Sequence, residues 1–149
     1  MNSDPEEPKN IFIADDDEDD RMFLSDALRQ SCNAPQLTEI DDGVDLMKKL
    51  NKAPFLYAVF LDLNMPCKNG FECLKEIRES PKLNYIPIVV ISTSSNRDLI
   101  DRAYLLGANY YMCKPNSTED LQILMDKLIS FNLAPFGGQP KREAFVLKA

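Results

Sequence analysis

Val59-Phe60-Leu61-Asp62-Leu63-Asn64-Met65-Pro66 is an apolar run, begun at Ala58, that closes on a single carboxylate and passes at once into a turn. Packing does not account for an Asp at that point, because a charge beside a buried strand is costly unless it is paired or used. Three further apolar runs also end on polar groups. Ile11-Phe12-Ile13-Ala14 ends in Asp15-Asp16, Ile88-Val89-Val90-Ile91 in Ser92-Thr93-Ser94-Ser95, and Tyr110-Tyr111-Met112-Cys113 in Lys114-Pro115. In a parallel sheet the carboxyl ends of the strands share one edge, so these carboxylates, hydroxyls and ammonium are expected to converge on one site.

Between the runs the pattern turns helical. Phe23, Leu24, Ala27 and Leu28 form i, i+4 pairs in a helix over about residues 17 to 31, and Val44, Met47 and Leu50 mark a short helix ending near Asn51. Phe71, Leu74 and Ile77 face inward from a helix over about Gly70 to Glu79. A fourth helix, Asn96 to Leu106, buries Leu99, Ile100, Ala103 and Leu106 and stops at Gly107. Ser117 caps a last helix with the stripe Leu121, Leu124, Leu128. Leu37-Thr38-Glu39-Ile40 alternates, as suits an edge strand, whereas the first, third and fourth strands are unbroken apolar runs suited to the centre. The expected fold is α/β, a doubly wound (βα)5 sandwich whose parallel five-stranded sheet has the order 2-1-3-4-5. Its switch point lies between strands one and three, where Asp15, Asp16 and Asp62 meet.

A chain of 149 residues, 44% of them hydrophobic, is one ordinary domain that buries roughly 70% of its unfolded surface. No apolar stretch approaches the ~20 residues of a membrane span, and the polar, acidic start Met1-Asn2-Ser3-Asp4-Pro5-Glu6-Glu7-Pro8 is not a signal peptide, so a cytoplasmic location is expected. A net charge of -7 argues against direct nucleic-acid binding. With no histidine and no C-x-x-C among the four cysteines, Cys32, Cys67, Cys73 and Cys113, a zinc site and histidine catalysis are disfavoured and free thiols are expected. Residues 1–9 are expected to be a disordered leader, 10–131 the domain, and 132–149 a carboxyl-terminal tail with no effector domain. Within that tail Pro135 to Pro140 suggests a flexible joint and Phe145-Val146-Leu147 an apolar contact segment.

Three carboxylates within about 4 Å of one another repel by roughly 4 kcal/mol per pair at an effective dielectric near 20. They cannot all stay ionised without a neutralising partner. Oxygen-only ligands suit Mg²⁺, and an Asp beside Mg²⁺ can act as a nucleophile toward phosphorus, with Lys114 offsetting phosphoryl charge and the Ser92 hydroxyl bonding a phosphoryl oxygen. A calcium loop fits poorly, because Asp20 stands where glycine is needed and Asp26 where a bidentate Glu is needed.

The acidic pair, Asp-Leu-Asn-Met-Pro-x-x-x-Gly, the hydroxyl after the fourth strand and Lys-Pro after the fifth together resemble the response-regulator receiver domain of two-component signalling, over about residues 9 to 131. That resemblance also supports the flavodoxin-like strand order. By position it implies that Asp62 is the phosphoacceptor, that Asp15, Asp16, Asp62 and the main-chain carbonyl of Asn64 hold Mg²⁺, and that Ser92 and Tyr111 are the switch pair beside Lys114. It further implies a cis bond before Pro115. The acidic opening, Asn-Met-Pro and Ser-Thr-Ser-Ser are most similar to stand-alone regulators paired with bacterial phytochromes. The partner implied is a sensor histidine kinase, with a homodimer through the face of the fourth helix, fifth strand and fifth helix, and with Tyr111 turning inward on phosphorylation.

Asp17, Glu18, Asp19 and Asp20 are explained more simply as the acidic start of the first helix, favoured by its dipole. Ser92 is preferred to Thr93 by counting from Pro87, which leaves the other hydroxyls to cap the next helix. Tyr111 is preferred to Tyr110 by its interval to Lys114. Cys67 is treated as an inert exposed thiol. The competing reading is a Mg²⁺-dependent phosphohydrolase acting through an aspartyl-phosphate. Such enzymes usually carry a second acid two residues after the nucleophile, and here that residue is Asn64. The chain is therefore expected to be a phosphoacceptor signalling domain rather than an enzyme.

Overall fold

The computed structural model of the chain describes residues 8–131, 133 and 138–148. The elements alternate as β1 (Asn10–Ala14), α1 (Glu18–Ser31), β2 (Gln36–Ile40), α2 (Gly43–Leu50), β3 (Ala58–Asp62), α3 (Gly70–Glu79), β4 (Ile88–Ser92), α4 (Arg97–Leu105), β5 (Tyr110–Cys113) and α5 (Thr118–Ser130). A short 3-10 turn, Arg142–Ala144, and a two-residue strand β6 (Val146–Leu147) follow. All strand pairs are parallel and the sheet order is β2-β1-β3-β4-β5-β6, so the expected five-strand order is present with one strand added at its edge.

Period-two alternation divides the core between the two faces of the sheet. Phe12, Ala14, Val59, Leu61, Val90 and Tyr111 point toward α2, α3 and α4. Ile11, Ile13, Phe60, Val89, Ile91 and Met112 point toward α1 and α5. Every residue of β3 and β4 is buried, which is why these strands are continuous apolar runs, whereas β2 at the edge is only partly covered. Tyr110 and Tyr111 lie on opposite faces.

The helix starts follow local chemistry. Asp17, Asp42, Asn69, Asn96 and Ser117 each cap a helix by accepting main-chain N–H bonds, and Asn69 with Glu72 forms a reciprocal capping box. The cap of α4 is Asn96 and not one of the preceding hydroxyls. Its amide side chain reaches Asp98 N, while Ser94 Oγ accepts the N–H of Asn96 itself.

The apolar triplet near the carboxyl terminus differs most from its sequence-based reading. Phe145 is completely buried, edge-on to Tyr104 at 5.0 Å, and Tyr111 N donates to its carbonyl. Burying a phenyl ring and a Leu at the open edge of β5 gives the segment its reason to dock. Of the suggested joint, Gly138, Gln139 and Pro140 are described. Gln139 donates to the carbonyls of Tyr104 and Ala108, and Pro140 accepts from the Tyr104 hydroxyl. Pro135, Phe136 and Gly137 lie outside the described residues, as do residues 1–7 of the expected leader. Lys9, counted with that leader, already joins the fold: its carbonyl accepts from Gln36 N and its ammonium lies over the Tyr57 ring. No helix among the described residues is long and apolar enough to cross a membrane.

Candidate functional site

The carboxyl edge of the sheet collects the polar strand ends. Asp15 follows β1 directly and its N–H donates to Ile40 O, so the ladder extends to this residue and holds its side chain in the interior, fully buried. Asp15 Oδ1 accepts from Asp17 N at 2.9 Å, and Arg21 Nη1 donates to the Asp15 carbonyl at 2.7 Å. Asp62 is the last residue of β3 and is 4% exposed. The loop after it folds back tightly. Gly70 N donates to Leu63 O, and a Cβ on Gly70 would lie 2.3 Å from the Asp62 carbonyl, so a side chain is excluded there. Within that loop Cys67 is exposed, with φ at 69°.

Carboxylate oxygens of Asp15, Asp16 and Asp62 lie within 4.8 Å of one another. Three hard oxygen donors, two on buried side chains and one on an exposed one, are a donor set that fits a hard divalent cation. The charge distribution points the same way. Burial and the neighbouring charge of Asp15 push the Asp62 carboxyl up to about 7, against the lowering effects of Lys114 and the Asn64 N–H. Asn64 N lies 3.3 Å from Asp62 Oδ1.

Lys114 enters from the end of β5, fixed by its main-chain N–H to Ser92 O at 2.8 Å. Its ammonium is 2.8 Å from Asp15 Oδ2, 2.7 Å from Asp20 Oδ2 and 4.0 Å from Asp62 Oδ2. Burial disfavours this charge, but the carboxylates of Asp15, Asp20 and Asp62 outweigh it and hold the lysine above its ordinary range. Asp20 therefore takes part in the site, although its place in the first turn of α1 is fully explained by the helix dipole. The contact is invisible in sequence because its partner is 94 residues away.

All described peptide bonds are trans, the Lys114–Pro115 bond included, so the cis bond implied by resemblance is absent. Trans is the lower-energy isomer by about 0.5–1 kcal/mol even before proline. Here the bond from Lys114 N to Ser92 O and the carboxylate contacts orient the lysine without the rarer isomer.

Ser92 ends β4 and is buried, its Oγ accepting from Ser94 N at 3.1 Å, whereas Thr93 is exposed. Tyr111 is completely buried. Its hydroxyl donates to Ser94 O at 2.7 Å and its ring lies 6.3 Å from that of Phe145. The expected inward turn of Tyr111 thus has no outward starting position here, because Phe145 and the Ser94 carbonyl already hold the ring and its hydroxyl inside.

Residues 11–126 match the response regulator receiver domain family. Response regulator Rcp1 of Synechocystis sp. is 32% identical over 137 residues, covering 88% of this chain and 93% of the relative. Chemotaxis protein CheY-3 of Vibrio cholerae is 34% identical over 119 residues, covering 79% and 89%. Among solved structures, the phosphorylated cyanobacterial phytochrome response regulator RcpA superposes with a TM-score of 0.79 at 33% identity, over 85% of this chain and 95% of that one. The Mn²⁺-bound form of Rcp1 gives 0.76 at 33% identity with the same coverage. With the parallel sheet, the acidic cluster at its switch point and a family match over most of its length, this chain belongs to the response regulator receiver domain family.

Proposed function

We propose that the chain is a response-regulator receiver of the cytoplasm that accepts a phosphoryl group on Asp62 from the phosphohistidine of a sensor histidine kinase. The observation that carries this reading is the position of Asp62: a nearly buried carboxylate at the carboxyl end of a central strand, with two acidic partners and an ammonium around it. Asp15, Asp16, Asp62 and the main-chain carbonyl of Asn64 are the groups that would hold Mg²⁺. When bound, that ion offsets charge on the carboxylates and on the phosphoryl oxygens. An Asp62 oxygen attacks phosphorus while the bond from phosphorus to the donor imidazole nitrogen breaks, the electron pair leaving with the nitrogen. In this reading Lys114 and the Ser92 hydroxyl bond the new phosphoryl oxygens. Asn64, two residues after Asp62, has no acidic proton to give a leaving group, which favours the signalling reading over a phosphohydrolase.

The charge added to Asp62 is relayed through Ser92 to the segment Ser94–Tyr111 and so to the face of α4 and β5. Self-association through α4, β5 and α5 is part of the proposal, and residues 138–148 now belong to that face because they pack on it. Light scattering in Mg²⁺ and beryllofluoride should show a dimer; a monomer at high protein concentration removes it.

The phosphoacceptor reading is tested by intact-mass analysis after incubation with Mg²⁺ and phosphoramidate. The native chain gains one phosphoryl adduct, and Asp62→Asn gains none. The same Mg²⁺-dependent adduct on the variant would refute the assignment.

A further inference from the structure

We infer that Asp20 is a positioning residue that holds Lys114 back from Asp62 and thereby sets how readily the phosphoacceptor is loaded. The inference rests on the phosphoacceptor reading and adds to it a residue outside the acidic cluster. An ammonium has three N–H donors. Two carboxylate oxygens, on Asp15 and Asp20, lie 2.8 and 2.7 Å from Lys114 Nζ, whereas the nearest Asp62 oxygen is 4.0 Å away. At those separations the first two are charge-assisted contacts and the third is a longer-range attraction.

Two features of α1 direct the Asp20 carboxylate to this task. In a capping box, the third helical residue reaches back to the N–H of the cap. Here that N–H, on Asp17, is already given to Asp15 Oδ1, so the Asp20 side chain is left to turn toward β5. Its neighbour Arg21 does not neutralise it, because that guanidinium serves the Asp15 carbonyl and Glu39. Asp20 and Lys114 also line one cavity of about 80 Å³ with Phe23, Pro115 and Ser117, which gives the carboxylate water-sized space when the lysine leaves.

The charge balance makes Asp20 a competitor. The carboxylates of Asp15, Asp16 and Asp62 are offset by a divalent cation and Lys114, and Asp20 is one negative charge beyond that balance. A phosphoryl group on Asp62 adds acceptor oxygens that call for the same ammonium. Asp20 and the phosphoryl oxygens then compete for the Lys114 charge, and removing the Asp20 charge removes that competition. Asp15, fully buried and in the acidic cluster, cannot be spared in this way; Asp20, a third exposed, can be rehydrated.

The test is a beryllofluoride titration in saturating Mg²⁺, followed by ¹⁹F NMR, on the full chain and on Asp20→Asn, Asp19→Asn and Lys114→Met with and without Asp20→Asn. Asp19 carries the same charge one residue away on an exposed position, with its N–H at the cap and no contact to Lys114. Asp20→Asn is expected to tighten beryllofluoride about fivefold and to speed phosphorylation by phosphoramidate by a similar factor. Asp19→Asn should do neither, and the Asp20 effect should vanish in the Lys114→Met background. Equal effects of the two Asn variants, unchanged or weaker binding by Asp20→Asn, or an Asp20 effect that survives without Lys114 would each overturn the inference. A native chain that takes up no beryllofluoride overturns the phosphoacceptor reading itself, and this inference with it.

Discussion

At the amino edge of the sheet the guanidinium of Arg78 is enclosed by oxygens of neutral groups, whereas at the carboxyl edge the ammonium of Lys114 is enclosed by carboxylates. Arg78, from the last turn of α3, donates to Gly107 O at 2.8 Å, Ile86 O at 2.7 Å, Asn84 O at 3.2 Å and Asn109 Oδ1 at 2.9 Å. Asn109 Oδ1 also accepts from Ile88 N, which ties the entry of β4 to that of β5. Gly107 closes the arrangement with φ at +100°, and a Cβ there would press on the Arg78 side chain at 3.1 Å. Burial pushes the guanidinium down only to about 10, so it stays charged at neutral pH. One edge thus spends its cation on oxygens that carry no net charge and have no reason to release it. The other gathers more negative charge than one lysine can offset, which weakens the fold and leaves a demand for an added cation. The first arrangement is structural; the second stores the chemistry.

The sharpest way to break this contrast is Arg78→Met. It takes the arginine's hydrogen bonds from the carbonyls of Gly107, Ile86 and Asn84 and leaves Asn109 Oδ1 with Ile88 N alone, and each group left unsatisfied away from water costs about 1–3 kcal/mol. Urea denaturation should show about 4 kcal/mol of lost stability, with Mg²⁺-dependent phosphorylation of the folded fraction unchanged. A loss under about 1 kcal/mol would mean that the amino edge does not depend on its arginine.

Asp62→Asn should act in the opposite direction. The Asp62 carboxyl titrates at about 7 in the fold against an ordinary 3.8, so the folded chain holds this proton more tightly than the unfolded one. Its stability contribution is complete below about 3.8 and is lost as pH rises through about 7. In metal-free buffer at pH 8 the Asn variant is therefore expected to be more stable than the native chain by about 2–4 kcal/mol, an advantage that fades as pH falls toward 4. Equal stability of the two proteins across that range, measured by urea denaturation, would show that the carboxylates do not strain the fold.

Arg142→Ala gives the smallest expected change. Arg142 pairs with Asp101 of α4 at 2.8 Å, but both side chains are more than a third exposed. An exposed pair of this kind is worth less than about 1 kcal/mol. The melting curve should barely move, because the docking of residues 142–148 rests on buried Phe145 and Leu147.

Much of this was open to reading along the chain. Asp62, Asp15 and Lys114 stand out because each interrupts or ends an apolar run, where a charge has no packing explanation. The helix boundaries follow from capping residues that act within three positions of themselves. Asp20 and Arg78 were hidden for the converse reason. An acid in a first helical turn and a base in a last one satisfy the helix dipole, so local physics already accounts for both. The β6 segment was visible as an apolar triplet, but nothing local says whether such a triplet covers its own domain or another molecule.

The sequence by itself determined the alternation of strands and helices and the carboxylates that end the strands, and together with the family resemblance the order β2-β1-β3-β4-β5. These depend on short-range periodicity, on capping, and on a right-handed crossover rule that leaves few topologies open. Only the tertiary structure decided that Lys114 is shared with Asp20, that Arg78 is held by carbonyls, that the Lys114–Pro115 bond is trans and that Phe145 closes over Tyr111. The three side-chain placements join residues far apart in the chain or depend on packing between elements, where partner, distance and desolvation are set together. The peptide isomer turns on an energy difference too small for sequence to settle.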